Sequence, residues 1–155
     1  MKITIDNLTS GGVIKLLEEH LVDMYATSPP ESIHALDVES LKHPSITFWR
    51  AEKNGEVLGC VAIKELSLNH GEIKSMRTAT NARNQGIASK LLSHVLTVAE
   101  SRNYTRLSLE TGSMDFFKPA RNLYAKNGFE YCQPFAHYQT DPNSCFMTLK
   151  LTNKF

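Results

Sequence analysis

Arg83-Asn84-Gln85-Gly86-Ile87-Ala88 joins a polar stretch to a run whose apolar residues recur at helical spacing. The first N–H groups of a helix have no intrahelical acceptor, and the helix dipole leaves that end positive. Small side chains at Gly86 and Ala88 let an anion reach those groups, with Arg83 beside them. A phosphate suits such an end; a plain strand-to-helix turn with a solvated Arg83 is the alternative. Two common phosphate loops are excluded. A Walker A loop needs GxxxxGKS or GxxxxGKT, and a dinucleotide fingerprint needs GxGxxG after an early strand; the lone Gly86 satisfies neither. Nucleotide hydrolysis and hydride transfer are therefore poorly supported.

The elements that must position this loop follow from periodicity. "MKITIDNL" alternates as a first strand. Val13, Leu16, Leu17, Leu21 and Met24 repeat at helical spacing, and the prolines of "TSPPES" end that helix. Ser28 or Ser32 can cap a short second helix over "IHALDVESLKH". Aromatic and β-branched residues around Asn54-Gly55 predict a hairpin with a type I′ turn. "HGEIKSMRT", anchored by Ile73 and Met76, predicts a strand opposite it. A helix runs from Gly86 to about Ser101, with Ile87, Leu91, Val95 and Val98 on one face. "TRLSLET" is a strand, "FFKPARNLYAKNGF" a helix stopped at Gly128, and "FEYCQPF" and "SCFMTLKL" two closing strands. The order β-α-α-β-β-β-α-β-α-β-β is a mixed α/β arrangement, one sheet with helices packed on it.

Composition narrows the classes. A chain of 155 residues has one domain's length, so 1–155 are expected to form one. A net charge of +1, with lysines and arginines dispersed, argues against a protein built chiefly to bind nucleic acid. No apolar run reaches the length of a membrane span, and "MKITIDNLTSGG" lacks signal-peptide regions; no membrane partner and a cytoplasmic location are expected. Cys60, Cys132 and Cys145 are an odd set without a CxxC pair, which reads as free thiols rather than disulfides or metal ligands. His20, His43, His70 and His94 show no ligand spacing and read as surface or packing residues; no metal is expected.

The loop at Arg83–Ala88 fits the R/Q-x-x-G-x-G/A pattern of the GNAT superfamily, the acetyl-CoA-dependent N-acetyltransferases. "ARNLYAKNGF" resembles their A-x-x-L-Y-x-x-x-G-F signature, with Ala120, Leu123, Tyr124, Gly128 and Phe129 in register. These motifs span residues 71 to 131, and the order of elements extends the resemblance to nearly the whole chain. "SPPESIHALD", "HGEIKSMRT" and "DPNS" are similar to a bacterial branch of small-molecule acetyltransferases.

The resemblance implies a mixed, mostly antiparallel sheet, splayed at a bulge where acetyl-CoA enters, with helices on both faces. It implies that the backbone of Met76, Arg77 and Thr78 pairs with the pantetheine arm. The pyrophosphate would lie on N–H groups of Arg83, Asn84, Gln85, Gly86, Ile87, Ala88 and Ser89. The family often carries Asn seven residues before the tyrosine, where it contacts the cofactor. Here that position is Phe117, and Asn122 or Lys126 would have to compensate.

Acetyl transfer to an amine needs a proton removed from the ammonium, donors for the oxyanion and a partner for the departing thiolate. The resemblance assigns the oxyanion contact to backbone N–H groups near Met76. It assigns the thiolate partner to Tyr124, since a phenol of pKa about 10 gives its proton to a thiolate of pKa about 8.5 only slightly uphill; otherwise Tyr124 is a core aromatic. Glu72, fourteen residues before Gly86 as in the histone-acetylating members, is the first candidate base. Glu110 is the second, with ordered water or a structural ion pair as alternatives. For the acceptor the resemblance points to the segment between the first two helices. There Glu31 would hold an ammonium, His34 a carboxylate when protonated, and Ser28 and Ser32 offer hydroxyls. Turn chemistry and helix capping are the alternatives, and His137 and Tyr138 would border the site. The expected protein is thus an N-acetyltransferase acting on a small primary amine, with acetyl-CoA as co-substrate and a homodimer compatible with the fold. Its rivals are an enzyme for a protein amino terminus or lysine, and a non-catalytic acyl-CoA-binding module.

Overall fold

The computed structural model describes residues 1–34 and 37–151. In chain order these form β1 (Lys2–Ile5), α1 (Gly11–Thr27), α2 (Val38–Leu41), β2 (Ile46–Lys53), β3 (Glu56–Ser67), β4 (His70–Thr78), α3 (Ile87–Ser101), β5 (Arg106–Gly112), α4 (Lys118–Lys126), β6 (Glu130–Tyr131) and β7 (Ser144–Lys150). The expected order of elements stands. The strands make one open sheet in the order β1-β2-β3-β4-β5-β7-β6, in which only β4 and β5 run parallel. The β2–β3 hairpin turns at Asn54 and Gly55, both at positive φ (54° and 80°), as a type I′ turn requires.

Two local expectations are corrected. The serines do not cap α2; Asp37 does, its carboxylate accepting from the Ser40 N–H at 2.7 Å. Ser28 instead ends α1, and Ala35 and Leu36 of the expected second helix lie outside the described residues. The strand expected over 129–135 shrinks to Glu130–Tyr131. Cys132 still donates to the Phe146 carbonyl at 2.9 Å, but Pro134 has no N–H to continue the ladder.

Helices cover both faces. Arg77 on β4 reaches Asp23 of α1 on one face. Gly59 of β3, beside Arg77's cross-strand partner Cys60, faces Ile87 and Leu91 of α3 on the other. Leu91, Leu92, Val95 and Ala99 are fully buried there, so α3 is pinned to the sheet by its apolar stripe. A Cβ at Gly59 would sit 2.8 Å from the Arg77 carbonyl oxygen and 3.0 Å from both Ile87 and Leu91 side chains. Gly59→Ala is therefore expected to cost about 1–3 kcal/mol by overpacking. A lower urea midpoint at unchanged slope is the check, and wild-type stability would mean that α3 shifts freely.

One irregularity shapes the site. β4 pairs with β5 only from His70↔Arg106 to Ile73↔Leu109, after which the two strands part. On the other edge of β4, the register to β3 slips between Cys60 and Ala62, across Ser75 at φ +55°. This is a bulge, and it turns the Ser75 carbonyl toward the Cys60 thiol, which donates to it at 3.3 Å. A cleft opens between β4 and β5 beyond the last pair.

Candidate active site

The cleft widens into a cavity of about 450 Å³ running from the start of α3 to the β6–β7 connection. At one end, Asn84 and Gly86 take the left-handed conformation (φ 64° and 76°), which costs a glycine nothing. The chain then enters α3 with no side-chain cap. Ala82 N–H donates to Ala79, and Lys90 N–H donates to Gly86 at 3.1 Å. Between them no backbone N–H has a main-chain acceptor among the described residues, and a Cβ at Gly86 would meet nothing within 4 Å. This open row of donors at a helix start fits a phosphate. Arg83, Asn84, Ile87 and Ala88 line the cavity; Gln85, Gly86 and Ser89 are exposed beside it. Asp23 joins this end to α1, binding Arg77 at 2.5 Å and approaching Arg83 at 3.9 Å.

The middle of the cavity is lined by Met76, Arg77 and Thr78 of β4 and by an apolar wall: Leu109, Phe116, Phe117, Ala120, Leu123 and Tyr124. Phe117 lies so close over Gly112 that a Cβ there would be 2.2 Å from its ring. Arg121 fixes this corner, donating to the carbonyls of Gly112 at 2.7 Å and Met114 at 3.0 Å. Asn122 and Lys126 are exposed on α4 and do not line the cavity, because α4 turns its apolar face inward; the side chains named as compensation for Phe117 point elsewhere. Tyr124 is 5% exposed and packs edge-on against Phe129. Burial pushes its phenol well above the ordinary value, so it stays protonated across the neutral range.

The far end holds the carboxylates. Glu72 and Ser108 are a cross-strand pair on one face, and Lys74 and Glu110 are the next positions on that face, just past the last pairing. Glu72 is 2% exposed, and its Oε2 accepts from the Tyr138 hydroxyl at 2.5 Å and from Lys74 Nζ at 3.3 Å. Lys74 also donates to the Tyr138 oxygen at 3.0 Å. Burial, and then the Glu72 charge, drive the Tyr138 phenol far upward. Glu110 stands free of any ion pair among the described residues, and burial raises its carboxyl to about 7, with the Ser144 hydroxyl and then Lys74 opposing and Glu72 assisting.

Above them, two segments are tied together. Ser32 Oγ donates to Asp141 Oδ2 at 2.7 Å, and Asn143 Nδ2 donates to Ser32 Oγ at 3.4 Å. Ser28, Ser32 and His34 line the cavity, His34 edge-on to Tyr138 at 5.0 Å between centroids. Glu31 is exposed and outside the lining, since the 3-10 turn Pro30–Ser32 directs it to solvent. Burial, reinforced by Lys74, lowers the His34 pKa, so its imidazole is neutral at pH 7 rather than a cation for a carboxylate. Nothing in the sequence singles out Lys74, and His20 reads there as an ordinary surface or packing residue. His20 lines the cavity, and burial with Arg77 beside it brings it down to about 4. His137 stacks on Tyr138 from outside the lining. His94 packs on Trp49, as a structural histidine should.

Among the described residues no group of three or more His, Cys, Asp or Glu could hold a metal ion, and no helix is long and apolar enough to cross a membrane.

Comparison with known proteins agrees with this geometry. Residues 13–129 match the acetyltransferase (GNAT) family. The chain is 56% identical over 151 residues to the uncharacterized N-acetyltransferase YsnE of Bacillus subtilis, covering 97% of this chain and 100% of that one. It is 47% identical over 149 residues to the uncharacterized N-acetyltransferase YedL of Escherichia coli, covering 96% and 94%. Among solved structures, a GNAT family acetyltransferase from Elizabethkingia anophelis with acetyl-CoA bound shares the fold, with a TM-score of 0.68 over 97% of each chain at 21% identity.

Proposed function

The chain belongs to the acetyltransferase (GNAT) family and is an N-acetyltransferase; from that premise we propose that it moves an acetyl group from acetyl-CoA to a primary amine of a small molecule, by direct attack. The observation that carries this reading is one continuous cavity. It joins the bare N–H groups before α3, the open edge of β4, the Tyr124 phenol and the Glu110 carboxyl.

Acetyl-CoA, when bound, supplies the acyl group as an activated thioester. The N–H groups around Gly86 hold its pyrophosphate, and Met76, Arg77 and Thr78 orient its arm along the edge that β5 leaves open. Glu110 takes the proton of the incoming ammonium. A carboxyl raised toward neutrality suits that task, because a base of higher pKa accepts a proton more readily while still being available in its ionised form. The amine nitrogen then bonds to the acyl carbon as the C–S bond breaks, with a backbone N–H near Met76 facing the oxyanion. Tyr124 Oη donates a hydrogen bond to the departing sulfur. Its raised pKa makes full transfer of that proton less favourable than the free phenol suggests, so stabilisation of the thiolate is its main role.

This ordering departs from the expectation that ranked Glu72 first. Glu72 already accepts from Tyr138 and Lys74, and we read it as a positioning residue that holds Lys74 in place. The Ser32–Asp141 tie roofs the acceptor end, which favours a small acceptor over a protein chain. Release of free thiol from acetyl-CoA, dependent on an added primary amine, tests the reading. Thiol release that no amine accelerates would contradict it.

A further inference from the structure

Resting on that reading, we propose that the acceptor is a small zwitterion of the α-amino acid class, its carboxylate bound by Lys74 and its amine directed at Glu110. Lys74 is the cation of the acceptor end. Its side chain is only 8% exposed, yet it lines the cavity. An ammonium has three N–H donors; Glu72 Oε2 takes one, the Tyr138 oxygen a second, and no third partner exists among the described residues. A walled-in ammonium with a spare donor is costly, and an anionic ligand in the cavity relieves that cost.

Among the described residues, the neighbouring groups leave this role to Lys74. Arg77 pairs with Asp23 and keeps a buried Nε without a partner among the described residues, but it stands in the middle of the cavity beside Met76 and Thr78, and Arg83 stands at the opposite end. His20 and His34 are neutral at pH 7. His137 lies outside the lining, and Asp141 is engaged by Ser32 and by the Asn143 N–H. Glu72 is bound to Lys74 itself, which leaves Glu110 as the carboxylate open to an ammonium.

Spacing then selects the class. Lys74 and Glu110 are the first positions past the Ile73↔Leu109 pair, so their backbones open from a strand separation of about 4.8 Å. Two side chains rising side by side from adjoining strands, without an ion pair between them, can take a carboxylate and an ammonium carried on one carbon. A diamine or polycation would bring a second ammonium against Lys74 instead, and is disfavoured.

The test is a set of initial rates with acetyl-CoA for free amino acids, each beside its carboxamide and its decarboxylated amine. The best amino acid is expected to exceed both partners in kcat/KM by about ten- to a hundredfold, the range for a hydrogen-bonded charge. That preference should vanish in Lys74→Met and largely survive in Lys74→Arg, with calorimetry showing that both variants still bind acetyl-CoA. Equal or better rates for the carboxamide or decarboxylated amine would overturn the proposal, as would a preference retained in Lys74→Met. The wild-type comparison decides the matter even if Lys74→Met does not fold. Acetyl-CoA binding with no amino acid acetylated would overturn the zwitterion alone. Failure to bind acetyl-CoA would remove the acetyl-transfer reading and this proposal with it.

Discussion

Tyr124→Phe is expected to lower kcat by about 10²- to 10³-fold, the usual worth of one positioned hydrogen-bond donor to developing negative charge. The affinity for acetyl-CoA should change little, because the substitution removes one oxygen from a ring that packs on Phe129 and lines the cavity wall. The split between kcat and binding is the informative part. A donor to the departing sulfur acts mainly as the C–S bond breaks, so its loss falls on kcat and kcat/KM alike. A core aromatic would instead show its loss in the melting temperature, and a non-catalytic acyl-CoA-binding module would show none in turnover. Steady-state thiol release, beside a calorimetric Kd for acetyl-CoA and a thermal melt, separates the three. Unchanged kcat in a folded variant would remove Tyr124 from the chemistry.

Glu110→Gln carries the second large effect. A base must be ionised to accept a proton, so activity is lost as pH falls through its pKa and is restored as pH rises. With the Glu110 carboxyl raised to about 7 by burial, wild-type kcat/KM should climb through neutrality and level off above it. Glu110→Gln should lower kcat by about 10²- to 10³-fold and abolish that acidic limb. Glu72→Gln should behave differently. It loosens Lys74 and Tyr138 and raises KM for the acceptor, but leaves the limb in place. A limb that disappears in Glu72→Gln and persists in Glu110→Gln would exchange the two roles.

Much of this was legible because it is local. Alternation around Asn54-Gly55 writes the hairpin, and the stripe from Ile87 to Val95 writes α3. The uncapped start of α3 could be read from Gly86 and Ala88, since small residues at a helix start leave its N–H groups accessible. What escaped depends on contacts far apart in sequence. Tyr138 and Glu72 are 66 residues apart, and nothing near either announces their hydrogen bond. Lys74 reads as one more strand lysine until Tyr138 closes over it. The bulge at Ser75 was expected only through family resemblance, because a serine at positive φ has no local signature. Asn122 and Lys126 were misplaced for a simpler reason. Naming them by residue type ignored the helical phase, which puts Ala120, Leu123 and Tyr124 inward and these two outward. Both carboxylates, Glu72 and Glu110, line the cavity, but spacing to Gly86 says nothing about the contacts that engage Glu72.

The most direct test of the account is a calorimetric titration of the purified protein with acetyl-CoA and, separately, with adenosine diphosphate. One acetyl-CoA is expected to bind tightly per chain. Weaker but measurable binding of the diphosphate is expected, since that ligand reaches the N–H groups before α3 but not the edge of β4. No heat with acetyl-CoA at millimolar concentration would contradict it: the row of donors at Gly86 would then be an ordinary helix start, and the cavity would serve another ligand.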